Sequence, residues 1–76
     1  MYNEGMITKR ISEKRIVVSS ADNQFYVIID HQGFRRWRTS FFHDSNDLPI
    51  GRKIAYNSGL ALWYAKKFIE ENTCSA

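Results

Sequence analysis

The hydrophobic pattern of this chain changes period once. Between Ile7 and Phe42 the apolar residues fall in short β-branched and aromatic runs, and after Ser58 they recur at helical spacing. The firmest strand signal is Gln24–Asp30, where Phe25, Tyr26, Val27, Ile28 and Ile29 follow one another. Asp30-His31-Gln32-Gly33 reads as a hairpin loop, with Gly33 as the residue of positive φ in a type I turn with a bulge. Phe34–Phe42 then reads as the returning strand.

This hairpin predicts a register. Asp30 faces Phe34, Ile28 faces Arg36, Val27 faces Trp37 and Tyr26 faces Arg38. Side chains alternate between faces with a period of two. One face then carries Phe25, Val27, Ile29, Arg35, Trp37, Thr39 and Phe41, and is the better core face. The other carries Tyr26, Ile28, Asp30, Phe34, Arg36, Arg38, Ser40 and Phe42.

Upstream, residues 1–5 read as a loose leader. Ile7–Ser19 is rich in β-branched and basic residues, with Ile16, Val17 and Val18 as its firmest part. It forms either a hairpin turning at Ser12-Glu13-Lys14 or one long strand. Ser20-Ala21-Asp22-Asn23 is a turn, because Asp and Asn side chains bond their own backbone and tolerate left-handed geometry. His43–Gly51 is a polar loop holding Asp44, Asn46, Asp47 and the single proline, Pro49. Arg52–Asn57 reads either as a short last strand or as the first turn of a helix.

Ser58 is a reasonable N-cap for a helix reaching about Asn72. Ala61, Tyr64, Ala65, Phe68 and Ile69 form its apolar stripe, with Lys66, Lys67, Glu70 and Glu71 away from it. Trp63 falls off the stripe, near Lys67 and Glu70, with Leu60 and Tyr56 beside it. The expected architecture is α+β: three or four antiparallel strands with one C-terminal helix packed on one face. The opposite face is left open, and it is the basic aromatic one.

Seventy-six residues suffice for one small domain. A core of this size stabilises the fold by roughly 3–5 kcal/mol. The 43% hydrophobic and 25% charged content is that of a folded chain, not a disordered one. Net charge is +3, spread as +2 over residues 1–20, +1 over 21–42, −2 over 43–50 and +2 over 51–76. There is thus one acidic loop and no polybasic tail. Cys74 is the single cysteine, which excludes an internal disulfide and suits a reducing compartment. Met1–Arg10 has no apolar segment of signal-peptide type. The longest apolar runs, Phe25–Ile29 and Leu60–Ala65, fall far short of the ~20 residues of a membrane helix. A cytoplasmic, membrane-free protein is expected.

The chemistry concentrates at Phe34-Arg35-Arg36-Trp37-Arg38. Arginine and aromatic side chains together suit phosphate contact, base stacking and protein hot spots. On the open face Arg36 and Arg38 would contact phosphates, while Tyr26, Phe34 or Phe42 stack on bases. The pairs Lys9-Arg10 and Lys14-Arg15 would extend that surface, with Arg10 and Lys14 as its outer cations. Arginine stems lying over aromatic rings are also what an ordinary solvated sheet face shows. The layout is similar to sheet-plus-helix DNA readers such as plant AP2-type domains and the arm-binding domains of tyrosine recombinases. The likeness is one of layout, with no diagnostic motif shared.

No nucleophile elbow, phosphate-binding loop or metal-ligand spacing occurs, and the sequence predicts no catalytic residue, metal or cofactor. His31 and His43 each stand next to an aspartate, but neighbours on a strand point to opposite faces. The expected function is a small non-enzymatic binding protein that presents Tyr26, Phe34, Arg36, Arg38, Lys14 and Arg10 to nucleic acid. The alternative is a protein-interaction module, such as a small regulator or inhibitor of a larger complex of the kind mobile elements encode. Trp63, Leu60 and Tyr56 would then form its interface, or hold a homodimer together.

Overall fold

The computed structural model describes residues 6–45 and 47–73. The leader 1–5 and Cys74 lie outside them. Five strands form one antiparallel meander in chain order: β1 (Met6–Ser12), β2 (Arg15–Ser20), β3 (Phe25–Gly33), β4 (Arg36–His43) and β5 (Gly51–Ala55). Among the described residues one helix, α1 (Ser58–Thr73), crosses one face and contacts β2, β3, β4 and β5. The α+β class is as expected, but the described residues form five strands where three or four were expected. Both open alternatives resolve toward more sheet. Ile7–Ser19 turns at Glu13-Lys14 to make a hairpin, and residues 51–55 join the edge of β4 as a strand.

The core lies between sheet and helix. Ile16, Val18, Val27, Ile29, Phe41 and Ala55 from the sheet meet Ala61, Ala65 and Ile69 from the helix, all buried. Alanine on the helix stripe lets the helix approach the sheet closely. Phe68 closes one end of the layer, with its ring centroid 4.8 Å from Phe41 and 5.9 Å from Phe25. The helix is capped one residue earlier than expected. Asn57 accepts from the Leu60 amide through Oδ1 at 2.7 Å, which satisfies one free N–H of the first turn.

The β2–β3 turn is built by Asp22. Its carboxylate accepts from the Ser20 hydroxyl at 2.6 Å and the Gln24 amide at 3.1 Å. The Ser20 bond, and then the Gln24 bond, hold the Asp22 carboxyl below its ordinary pKa. Asn23 follows in the left-handed region at φ 61°, which Asn tolerates well.

The β3–β4 hairpin differs from its expected form. β3 continues through Gly33, and the chain turns at Phe34-Arg35, with Arg35 at φ 55°. Asp30 pairs with Arg38 and His31 with Trp37. Two contacts favour the longer hairpin. The Asp30 carboxylate engages arginines on both neighbouring strands instead of capping a turn, and the His31 ring stacks on Trp37 at 4.1 Å. Tyr26 therefore faces Phe42, four positions beyond the expected Arg38. Because that displacement is even, the residues that remain paired keep their expected faces, while Phe34 and Arg35 leave the strand for the turn. Val27, Ile29, Thr39 and Phe41 are buried under the helix, and Tyr26, Asp30, Arg38 and Phe42 look the other way.

Candidate nucleic-acid interface on the open sheet face

The cross-strand pairings fix what the helix-free face displays. One row reads Ile7, Ser19, Tyr26, Phe42. The next reads Lys9, Val17, Ile28, Ser40, Arg52. A third reads Ser12, Arg15, Asp30, Arg38, Ile54. Arg36 belongs to the same face by alternation from Arg38. Among the described strand residues, five cations, Lys9, Arg15, Arg36, Arg38 and Arg52, thus share this face with one carboxylate, Asp30. The whole chain carries +3, so all remaining side chains together sum to −1. A modest net charge conceals a strong asymmetry.

Asp30 organises the middle of the third row. Arg15 donates to its Oδ1 through Nε at 2.7 Å, and an Arg38 terminal nitrogen lies 3.6 Å from Oδ2. Partly exposed pairs of this kind contribute about 1 kcal/mol or less to stability. Their main consequence is positional, since they hold two guanidinium groups at fixed places on the face. Among the described residues no carboxylate pairs with Lys9, Arg36 or Arg52. Arg15, Arg38 and Arg52 border a shallow concavity of about 200 Å³ floored by Ile28 and Ser40, with Phe42 and Pro49 on its wall.

Tyr26 and Phe42 are stacked, with centroids 4.9 Å apart and planes 5° from parallel. Parallel rings on adjacent strands form a ridge, and both rings are partly exposed. Phe42 borders the arginine concavity. Tyr26 borders a second concavity lined by Ile7, Lys9, Val17, Ser19 and Asn23.

The face also has a direction. The β1–β2 and β3–β4 turns lie at the same end, joined by the His31 amide donating to the Lys14 carbonyl at 2.8 Å. Lys14, Arg15, Arg35, Arg36 and Arg38 gather there against Glu13 and Asp30. The loop carrying Asp44 and Asp47 leaves β4 at the opposite end, and its Pro49 reaches back to the arginine concavity.

The structure divides the residues that sequence reasoning grouped. Tyr26, Arg36 and Arg38 do share the open face. Phe34 does not lie on it: it sits at the hairpin tip, 88% exposed, with the Arg35 guanidinium 5.2 Å from its ring centre. Lys14 occupies the neighbouring turn, at the rim of the face. Arg10 pairs with Ile16, a core residue, so it stands on the helix side of β1. Arg15, Arg52 and Lys9 join the site instead. In the adjacent basic pairs Lys9-Arg10 and Arg52-Lys53 only one member reaches the face, and which member does depends on the β1–β2 and β4–β5 registers.

Trp63 is half exposed, as its helical position predicts. It lines a groove of about 240 Å³ with Phe41, Lys53, Tyr64, Lys67, Phe68 and Glu71. The Lys67 ammonium lies 5.8 Å from its ring centre. Leu60, expected beside it, instead packs against the core, while Tyr56 is 62% exposed in the segment before the helix. The three do not form one apolar patch.

Among the described residues no cluster of three His, Cys, Asp or Glu side chains is placed to hold a metal ion, and no helix is long and apolar enough to cross a membrane. No protein-family model, curated protein or solved structure matches this chain.

Proposed function

We propose that this protein is a non-enzymatic nucleic-acid-binding domain that engages the phosphate backbone through its helix-free sheet face. One observation carries the reading. Among the described strand residues, five cations and a single carboxylate lie on that face, while the rest of the sequence sums to −1. A polyanion is the partner that such an asymmetry attracts, through counterion release. The stacked Tyr26–Phe42 ridge adds ring surface where bases can lie.

The test is fluorescence anisotropy with labelled oligonucleotides at low salt, comparing wild type with Asp30→Asn. Wild type should bind, and raising salt should weaken it. Asp30→Asn removes the one repelling charge and releases Arg15 and Arg38, so it should bind more tightly. Absence of binding by wild type to every DNA and RNA at low salt would refute the reading.

A second reading rests on Trp63, a half-exposed tryptophan beside a groove on the other side of the molecule. Exposed aromatics of this kind mark protein contacts. On that reading the domain is an interaction module, such as a small regulator of a larger complex, or a homodimer. Light scattering at high concentration separates the last case: a dimeric mass that falls to monomer on Trp63→Ala supports it, and a monomeric wild type excludes it.

A further inference from the structure

We infer that the partner strand is single-stranded, and that one of its bases seats in the concavity beside Tyr26. This rests on the nucleic-acid reading above and specifies its ligand. Width argues first. Five strands spaced about 4.8 Å apart make a surface roughly 19 Å across. The major groove of a duplex is about 12 Å wide and admits a helix or a two-stranded ribbon. A duplex therefore meets the rim of this face, whereas a single strand lies along it.

The aromatic ridge argues next. Bases inside a duplex are already stacked on one another, but those of a single strand are free to stack on protein rings. Phe42 covers one face of Tyr26. The opposite strand position is Ser19, and beyond it lies Ile7. A small serine between two large side chains leaves a slot of about 450 Å³, floored by Val17 and Ser19. A base entering it stacks on the other face of Tyr26. Asn23, at the turn end, offers an amide with both donor and acceptor to the base edge. Lys9 offers a charge to the adjoining phosphate. Beyond the ridge, the concavity bordered by Arg15, Arg38 and Arg52 receives a further stretch of backbone.

The experiment uses labelled single-stranded RNA and DNA of about 12 nucleotides, within the ~4–16 covered by one binding module, and the duplex of the same sequence. Three variants are compared with wild type: Tyr26→Ala removes the ring, Tyr26→Phe keeps it, and Ser19→Phe fills the slot with the ring intact. Circular dichroism checks that each is folded. Single strands should bind roughly 10-fold or more tightly than the duplex. Tyr26→Ala and Ser19→Phe should each weaken single-strand binding by roughly 10-fold, with the salt dependence unchanged. Tyr26→Phe should bind as wild type does. Binding of either RNA or DNA single strands supports the proposal, because both present a base that can stack on the ring. Equal affinity for the duplex, or wild-type binding by both Tyr26→Ala and Ser19→Phe, overturns the slot and leaves the basic face standing. No binding of any oligonucleotide overturns both.

Discussion

Replacing Arg38 and Arg52 together with alanine is expected to flatten the salt dependence of nucleic-acid binding by about 1.4 in the slope of log K against log salt. Each phosphate neutralised on a single strand contributes about 0.7 to that slope. Both residues border the concavity over Ser40, so both reach a strand lying there. Removing Arg38 does not orphan Asp30, which keeps its 2.7 Å bond from Arg15. The matched control is Arg10→Ala with Lys66→Ala. It removes the same charge from residues outside the open face, Arg10 on the helix side of β1 and Lys66 on the exposed surface of α1. The control should leave the slope near the wild-type value. Equal loss of slope in the two double variants would mean that overall charge drives binding, with no role for the face.

Ile29→Ala is expected to unfold the domain to a large extent at room temperature. Ile29 is fully buried, paired with Ile16 on one side and Thr39 on the other. Truncating such a side chain costs about 2–5 kcal/mol, because the cavity closes only in part. The whole domain has roughly 3–5 kcal/mol to lose. Ile28→Ala, one residue away on the open face, leaves no comparable cavity and should remain folded. Urea unfolding followed by circular dichroism checks both. A cooperative transition for Ile29→Ala near the wild-type midpoint would show that the core lies elsewhere.

The contrast between Ile28 and Ile29 was legible in the sequence, because alternation depends on parity alone. The expected β3–β4 register was wrong by four positions, yet the residues that remain paired lie on their expected faces, and only Phe34 and Arg35 leave them for the turn. Gly33 has the expected positive φ, at 159°, beside an irregularity in the β3 register, but the left-handed residue of the turn itself is Arg35, at 55°. A left-handed non-glycine residue costs roughly 1–2 kcal/mol. Long-range contacts offset that cost: Asp30 with Arg15 and Arg38, and His31 with Trp37. None of these is visible within a local window.

The same limit explains the site. Tyr26, Arg36 and Arg38 were found from alternation within one hairpin. Arg15, Lys9 and Arg52 needed the registers of three further strand pairs, and two of those strands had ambiguous local signals. Lys53-Ile54-Ala55-Tyr56 suits a helix start as well as an edge strand. It becomes a strand because β4 would otherwise expose a long row of unpaired backbone groups. The charge asymmetry was hidden for a related reason. Summed by segment the chain looks evenly basic, and only folding separates the cations of one face from the charges of the helix.

The most direct test of the central claim is an amide nuclear magnetic resonance titration of the intact protein with a single-stranded oligonucleotide at low salt. Perturbed amides should concentrate at Lys9, Val17, Ser19, Tyr26, Ile28, Arg38 and Arg52, with those of Ala61, Ala65 and Ile69 in the helix little changed. Perturbations centred on Trp63 and Lys67, or none at all under these conditions, would contradict the claim.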